Sequence, residues 1–356
     1  MTVPSASAQW FQGMLPALAR RGVDVEDLLA RSGIAAELLC DSNASIAHIQ
    51  IARFWTLACE VTGDPLLALR ASQDFRPGCM NQVGYLMLAA PTLADALAHL
   101  MRYQQLLSDV SDCELTLDAE GGTLRLEVIP QLHAIPQAIN DMMLGATMVF
   151  CRWVLGPEFR PRQLCLRRPQ AAPSDLELYR RVFDCPIRFD SPMDCLKLSP
   201  RNLHAPLPSA NPQVFEMHRQ HLEERLKRRR QQSISLQVGD VLQQLLPEGE
   251  PSRERVAGLL NLSPSTLHRR LLAEGTSYKT LLDQRRAVLA KGYVTQSARP
   301  LLDIAFQLGF SDPSNFFRSF KRWYGVSPGR YRKQAGNRTA ERHPAASSIS
   351  AGHTGS

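Results

Sequence analysis

Apolar residues recur at spacings of three and four along much of the chain, which is the pattern of helices with one buried face. Residues 8–99 follow this pattern, interrupted by turn residues such as Ser32-Gly33 and Gly63-Asp64-Pro65. This region therefore predicts a succession of helices. The same spacing predicts further helices over residues 136–155, 176–182 and 214–232.

The period changes to two within residues 113–128, where apolar and polar residues alternate on both sides of Glu120-Gly121-Gly122. Alternation around a glycine pair predicts a β-hairpin. Helices followed by strands in one region favour an α+β domain, which we expect to span residues 1–207. Short apolar runs predict the remaining strands of this domain at 164–166, 187–189 and 195–198.

A cluster of prolines between residues 206 and 212 marks the end of this domain. We expect a linker over residues 208–234, followed by an all-α domain over residues 235–333. Residues 334–356 are rich in Ser, Ala, Gly and Thr and show no periodicity, so we expect them to form a disordered tail.

Two stretches of the all-α domain repeat one another. The matched positions of the first copy are Ala257, Asn261, Leu262, Ser263, Ser265, Leu267, Arg269, Leu271, Gly275 and Ser277. Their counterparts in the second copy are Ala305, Gly309, Phe310, Ser311, Ser314, Phe316, Arg318, Phe320, Gly325 and Ser327. Each copy predicts a short helix, a tight turn, a second helix and a glycine stop. This is the layout of a helix-turn-helix, which lays its second helix in a DNA major groove.

In the first copy, Ser263 is placed to cap the second helix, and Asn261 stands at the turn, where a left-handed conformation is needed. Leu267 and Leu271 point toward the core. The outer face near the start of this helix is left to residues that can reach base edges or phosphates, namely Ser265, Thr266, His268 and Arg269.

In the second copy, Asp312 is the predicted cap, and Phe316 and Phe320 pack inward. An outward Phe317 fits a thymine methyl group in the major groove, or else a small apolar patch against the linking helix. Arg318 can pair with guanine or hold a phosphate. The outer face of this helix carries Ser314, Asn315, Phe317 and Arg318.

Residues 278–293 predict one helix between the two copies, roughly 24 Å long at about 1.5 Å per residue. A rigid rod of that length can hold two reading helices about one turn of B-DNA apart, roughly 34 Å. The expected target is therefore a bipartite site with a spacing of about ten base pairs. Beyond Gly325, a last helix opens at Ser327-Pro328, and phosphate anchoring is expected of its basic residues Arg330, Arg332 and Lys333.

Charge distinguishes the two domains. The chain has a net charge of +7, and residues 235–333 alone carry 15 Lys and Arg against 8 Asp and Glu, a net of +7. Residues 1–234 carry 24 against 25. A basic domain joined to a neutral one is the charge distribution of a DNA-binding protein, although a solvated basic surface without a ligand has the same composition.

All eight cysteines lie between residues 40 and 195, and none forms a C-x-x-C pair. We therefore expect reduced core thiols, with no metal site, no cofactor and no catalytic residue. Residues 1–10 lack a secretion signal, and the longest apolar run, 142–151, is too short to cross a bilayer. We expect a cytoplasmic protein without a membrane partner.

The second repeat resembles the signature of the AraC/XylS family of transcriptional regulators. The residues that carry this resemblance are Gly309-Phe310-Ser311, Phe316, Arg318, Phe320, Lys321, Gly325, Ser327-Pro328 and Tyr331-Arg332. The first domain is similar, more weakly, to the arabinose-binding-type domain of the ornithine-regulator-like subgroup. That similarity lies in Gly22-Val23-Asp24, residues 91–97 and residues 183–189.

Membership of this family implies DNA binding through both recognition helices. The implied base-reading positions are Ser265, His268, Arg269, Ser314, Phe317 and Arg318. The family resemblance also implies a first domain that senses a small-molecule effector or forms a homodimer, and activation of transcription through RNA polymerase. The chain departs from the family pattern at Asn261, Arg255 and Phe317, and the last of these suggests an altered base preference.

Three functions remain open from the sequence. The leading one is a regulator that binds double-stranded promoter DNA and responds to an effector, whose identity and binding residues the sequence leaves unknown. A DNA-targeted enzyme, such as an alkyl-transfer repair protein, would need an activated cysteine beside a histidine, and no cysteine has a histidine within two residues. An architectural DNA binder is the third function, and it gives no role to the large neutral first domain.

Overall fold

The structure is a computed structural model that describes residues 5–41, 44–109, 111–128, 137–170, 172–296 and 299–333. The chain divides between Gln232 and Ser233 into two compact units. The tail expected to be disordered, 334–356, lies outside the described residues.

The first unit is an α+β structure, as its pattern of helices and strands predicts. Its helices are α1 Ala8–Gln12, α2 Leu15–Ala19, α3 Val25–Ser32, α4 His48–Thr62, α5 Leu67–Ser72, α6 Asn81–Ala89, α7 Leu93–Tyr103, α8 Gln137–Leu155, α9 Pro173–Phe183, α10 Pro200–His204 and α11 Pro212–Gln232. Short 3₁₀ turns lie at Ala36–Cys40, Pro77–Met80 and Gln104–Leu106. Its strands are β1 Ser5–Ser7, β2 Ser45–Ala47, β3 Ser111–Asp118, β4 Gly121–Val128, β5 Gln163–Cys165, β6 Ile187–Arg188 and β7 Cys195–Leu198.

A five-stranded sheet of order β3-β4-β7-β5-β6 organises the middle of this unit. Strands β3 and β4 form the predicted hairpin, with Asp118 opposite Gly121. All neighbouring pairs are antiparallel except β5 and β6. Strands β1 and β2 form a separate antiparallel pair that the pattern does not predict, because three residues are too few to show a period.

Helix α8 contributes buried residues to both apolar clusters of the first unit. By length and composition it is apolar enough to cross a membrane, yet it carries the buried Asp141. Arg168 donates a hydrogen bond to Asp141, and the Tyr179 hydroxyl donates another at 2.9 Å. Burial raises the pKa of Asp141 to about 6 against the opposing charge of Arg168. These partners and its buried apolar face make α8 a core helix of this unit.

The linker expected over residues 208–234 differs from the structure. Most of it is helix α11, which packs against α6 and belongs to the first compact unit. Leu222 is fully buried there, and Glu223 accepts hydrogen bonds from Arg102 at 2.5 Å and from the Tyr103 hydroxyl at 2.6 Å. The largely charged sequence of α11 hides this packing, because only a few of its residues contribute the buried face.

The second unit is all-α, as expected. Its helices are α12 Ile234–Leu245, α13 Arg253–Leu259, α14 Pro264–Ala273, α15 Tyr278–Gln296, α16 Leu301–Gln307 and α17 Pro313–Tyr324, with a 3₁₀ turn at Leu246–Glu248. Residues 328–333 are also helical. The unit has two apolar clusters, one around α12 to α14 and one around α16 and α17, and α15 contributes to both.

Candidate nucleic-acid interface

The first helix-turn-helix consists of α13, a turn at Asn261 and α14. Ser252 caps α13 by accepting a hydrogen bond from the Arg255 amide at 3.1 Å, and Ser263 caps α14 by accepting one from the Thr266 amide at 3.1 Å. Asn261 has a φ of 55°, the left-handed conformation that the sequence predicts. The caps and the turn fix where α14 begins and the direction in which it leaves α13.

The second helix-turn-helix consists of α16, a turn at Gly309 and α17. Gly309 has a φ of 72°, and Asp312 caps α17 by accepting a hydrogen bond from the Ser314 amide at 2.8 Å. That hydrogen bond lowers the pKa of Asp312 below its usual value. Helix α17 ends at Gly325, which also has a left-handed φ of 75°. Both copies therefore form the same motif with different turn residues.

Buried side chains set the rotation of each recognition helix. Leu267 and Leu271 of α14 are buried, and so are Phe316 and Phe320 of α17, as predicted. The opposite face of each helix consequently points to solvent. The buried face of each helix therefore identifies which of its residues point outward.

On α14 the predicted contact residues lie together near the start of the helix. Ser265, His268 and Arg269 are exposed, whereas Thr266 is half-buried. The Thr266 hydroxyl lies 2.8 Å from the Ser263 hydroxyl, so it takes part in the cap. The structure thus brings Ser265, His268 and Arg269 onto one open surface.

On α17, Ser314, Asn315 and Arg318 are exposed. Arg318 donates a hydrogen bond to the Asn315 side chain at 2.6 Å. Phe317 is half-buried and packs against the aromatic cluster of this half of the unit, with its ring centre 5.5 Å from that of Phe316. The Phe317 side chain is therefore partly packed against the fold and partly accessible.

The three residues expected to anchor phosphates differ in their exposure to solvent. Arg330, in the middle of the helical stretch 328–333, and Lys333, at its end, are exposed. Arg332 is half-buried, and its Nε donates to the Val294 carbonyl of α15 at 3.1 Å. Arg332 therefore fastens this last helix to α15.

Helix α15 joins the two motifs without interruption. It has 19 residues, which corresponds to roughly 28 Å at about 1.5 Å per residue. Leu282 belongs to the cluster under α14, Ala290 belongs to the cluster under α17, and Leu289 contacts both. The helix is longer than the predicted 278–293 and fixes both motifs to one rod.

Arg286 of α15 is a residue whose role the sequence pattern misses. It is buried, and it donates to the Leu308 carbonyl at 2.8 Å, to the Gly309 carbonyl at 2.6 Å and to Glu250 at 2.9 Å. Its guanidinium also lies 4.3 Å from the centre of the Phe310 ring. A basic residue on the otherwise apolar face of α15 is the signal that could have indicated this role.

The backbone of residues 249–250 packs tightly on the second turn. A Cβ atom added to Gly309 would lie 2.5 Å from the Glu250 nitrogen and 2.8 Å from its Cα atom. Arg286 and this close approach connect the segment before the first motif to the turn of the second. The two motifs therefore share structural elements beyond α15.

The end of α14 is tied to the start of α12. Glu274 accepts hydrogen bonds from the Ile234 amide at 2.6 Å, the Ser235 amide at 2.9 Å and the Ser233 hydroxyl at 3.0 Å. Burial would raise the pKa of Glu274, but these hydrogen bonds outweigh it and lower the pKa. The first recognition helix is thus anchored to the beginning of the second unit.

Comparison with known proteins agrees with this geometry. Residues 22–207, more than half of the chain, match the family "Arabinose-binding domain of AraC transcription regulator, N-term", and residues 256–334 match the family "Helix-turn-helix domain". The chain is 29% identical to the ornithine utilization regulator of Pseudomonas aeruginosa over 337 residues, which cover 93% of this chain and 96% of that protein.

Two further similarities extend beyond the helix-turn-helix region. The transcriptional regulator VirS of Mycobacterium tuberculosis is 27% identical over 274 residues, which cover 76% of this chain and 80% of that protein. The crystal structure of the regulator CdpR from Pseudomonas aeruginosa aligns with a TM-score of 0.41 and 21% identity, covering 86% of this chain and 96% of that one. From the family match over residues 22–207 together with the duplicated helix-turn-helix, we conclude that this chain belongs to the AraC family of transcriptional regulators.

Proposed function

We propose that this protein is a sequence-specific regulator that inserts α14 and α17 into successive major grooves on one side of promoter DNA. The observation that carries the proposal is the continuous helix α15, which contributes to the core beneath both recognition helices. A rod of roughly 28 Å is close to the rise of one turn of B-DNA, roughly 34 Å. The net positive charge of residues 235–333 supplies attraction for the phosphate backbone.

Within this proposal, exposed residues of the two recognition helices read bases. Arg269 and Arg318 have the donor geometry for guanine, and the accessible part of Phe317 fits a thymine methyl group. The exposed Arg330 and Lys333 hold phosphates, whereas Arg332 positions the helix that bears them. The remaining proposed contacts are Ser265, Thr266, His268, Ser314 and Asn315.

The proposal extends to regulation. The first unit senses a small-molecule effector and forms a homodimer, and the protein activates transcription in the cytoplasm by contacting RNA polymerase. Support comes from the family of the first unit and from relatives that are named transcriptional regulators. The name of one relative refers to ornithine utilization, which makes an amino acid one candidate effector to test.

An alkyl-transfer enzyme fits the cysteines of the core poorly; of the eight cysteines only Cys40 is exposed. Burial raises the pKa of Cys59 to about 11 and that of Cys151 to about 12, which disfavours the nucleophilic thiolate. A hydrogen bond from Cys195 lowers the pKa of Cys165, but both thiols are buried in the sheet. These environments are typical of core thiols, so we propose that the protein is not an enzyme.

Replacing Arg269 or Arg318 with alanine tests the base-reading roles. Each change should weaken binding to the preferred duplex by about 1–3 kcal/mol, roughly fivefold to 150-fold, because a bidentate contact to one base is lost. The preferred duplex is first selected from a random library with the full-length protein. Dissociation constants are then measured at one salt concentration on that duplex and on a scrambled duplex.

Arg31→Ala is the matched control, since it removes the same charge from the first unit, where Arg31 pairs with Asp27. It should leave both affinities within twofold. Equal losses on the preferred and scrambled duplexes for Arg269→Ala and Arg318→Ala would assign these residues to phosphates and contradict the base-reading proposal.

A further inference from the structure

A cavity of about 90 Å³ lies inside the first unit, between helices α7 and α8 and the strands β3 and β4. It is several times larger than the roughly 10–15 Å³ that is needed to hold one water. Side chains such as Trp10, Leu100 and Ala146 line it and remain half-exposed, so the cavity opens to solvent. A small molecule can therefore enter without unfolding the unit.

Methionines are concentrated around this cavity. The chain has 10 methionines, and half of them line it: Met14, Met80, Met87, Met142 and Met143. Methionine is unbranched and polarizable, so a wall of methionines adapts to apolar ligands of different shape. A well-packed core does not need so many adaptable side chains around one void.

Three of the polar side chains at the cavity, those of Gln104, Ser108 and Thr147, are already paired. Gln104 bonds the backbone of Cys113 at 3.0 and 3.2 Å, and the Thr147 hydroxyl donates to the Met143 carbonyl at 2.8 Å. The Ser108 hydroxyl lies 2.9 Å from His48 Nε2. Among the described lining residues, none carries a charge. A charged ligand would lose its hydration here without gaining a counter-charge, which costs free energy. An uncharged apolar ligand does not incur this cost.

The walls of the cavity are the elements that hold α11. Leu97 and Leu100 of α7 line the cavity, and the same helix ends at Arg102 and Tyr103, which bind Glu223 of α11. Met87 of α6 also lines it, and α6 packs along α11. Helix α11 ends at Gln232, directly before the second unit begins. Two helices that line the cavity therefore contact α11, the helix that leads into the second unit.

We propose that this cavity is the effector site and that it takes one uncharged, mostly apolar small molecule, of the size of a substituted benzene, whose binding alters the packing of α11. The inference rests on the proposed function and adds the place, the ligand class and the route of regulation. A free amino acid, which carries two or more charges, does not fit this cavity, so the inference disfavours the amino-acid effector that the relative's name suggests.

The test uses the full-length protein with benzyl alcohol, 4-bromobenzyl alcohol and L-ornithine as probes. Calorimetric titration should show saturable binding of about one molecule of either alcohol per chain and none of L-ornithine. The bromine should quench the fluorescence of Trp10, and Trp10→Phe should lose that quenching. Hydrogen exchange should change in α11 when the alcohol is bound.

Ala146→Phe fills the cavity and should reduce alcohol affinity at least tenfold. Ala146→Leu, a smaller change, should reduce it less and covers the case in which phenylalanine prevents folding. Ala30→Leu, on the exposed face of α3, is the matched control and should leave binding unchanged. DNA affinity is measured on the same proteins, so that loss of the proposed function is recognised separately.

Saturable binding of L-ornithine, or alcohol binding that a folded Ala146 variant leaves intact, would overturn the assignment of the site and its ligand class. Absence of saturable alcohol binding would overturn it as well. Bound alcohol without any change of exchange in α11 would contradict the proposed route. The DNA affinity of the ligand-free protein tests the proposed function separately, so failure of the cavity assignment and failure of DNA binding are distinguishable.

Discussion

Gly309→Ala is expected to destabilise the second unit by about 2–5 kcal/mol and to abolish specific DNA binding. A left-handed φ costs an alanine roughly 1–2 kcal/mol. Its Cβ atom would also lie 2.5 Å from the Glu250 nitrogen, so the backbone of residues 249–250 must move, at a further cost of roughly 1–3 kcal/mol. The total is a large share of a typical domain stability of about 5–15 kcal/mol.

Gly325→Ala separates the two contributions. Gly325 has nearly the same φ, 75° against 72°, but a Cβ atom there meets nothing within 4 Å. We expect this control to lose only about 1–2 kcal/mol. Hydrogen exchange of peptides from α13 to α17 in the full-length protein measures both. Equal acceleration of exchange in the two variants would show that the contact with Glu250 does not matter.

Arg286→Met is expected to cost the second unit about 2–4 kcal/mol, because it removes three charge-assisted hydrogen bonds at a buried site. Methionine keeps much of the apolar volume, so the loss reports the polar contacts. Arg286→Lys should recover little of it, since one ammonium group cannot reach the Leu308 and Gly309 carbonyls and Glu250 with the geometry of a guanidinium.

The matched control for Arg286 is Lys279→Met, which removes a basic charge from an exposed position of the same helix. The free energy of unfolding in urea and the hydrogen exchange of α16 and α17 should both be almost unchanged in this variant. If Arg286→Met were as stable as Lys279→Met, the assigned link between α15 and the second turn would be wrong.

The helix-turn-helix units were accessible from the sequence because their determinants are local. Caps at Ser263 and Asp312, and left-handed positions at Asn261 and Gly309, lie within a few residues of the helices they define. Because the motif is duplicated, the second copy supports the same prediction independently. The inward side of each recognition helix follows from helical periodicity alone.

Features that depend on distant partners could not be predicted. The packing of α11 depends on Tyr103, which precedes Glu223 by 120 residues, and that spacing leaves no periodic trace. The hydrogen bond from Arg332 to the Val294 carbonyl spans 38 residues and is equally invisible in the sequence. The methionines around the cavity are likewise scattered over residues 14–143 and are brought together only by the fold.

For Phe317 the sequence leaves two roles open, and the structure is compatible with both. An outward base contact and an apolar patch are distinct expectations for this residue. In the structure the ring packs partly on the aromatic cluster and stays partly accessible, so the fold preorganises the surface that we propose meets a thymine methyl. The base preference at the positions of the selected duplex that α17 contacts tests this proposed role of Phe317.

Hydroxyl-radical footprinting of the full-length protein on its selected duplex tests the central claim most directly. The claim is that α15 holds α14 and α17 for two neighbouring major grooves. Within the site bound by one chain, we predict two protected windows on one face of the duplex, about ten base pairs apart, and loss of specific affinity when five base pairs are inserted between them. A single protected window, or unchanged affinity after the insertion, would contradict the account.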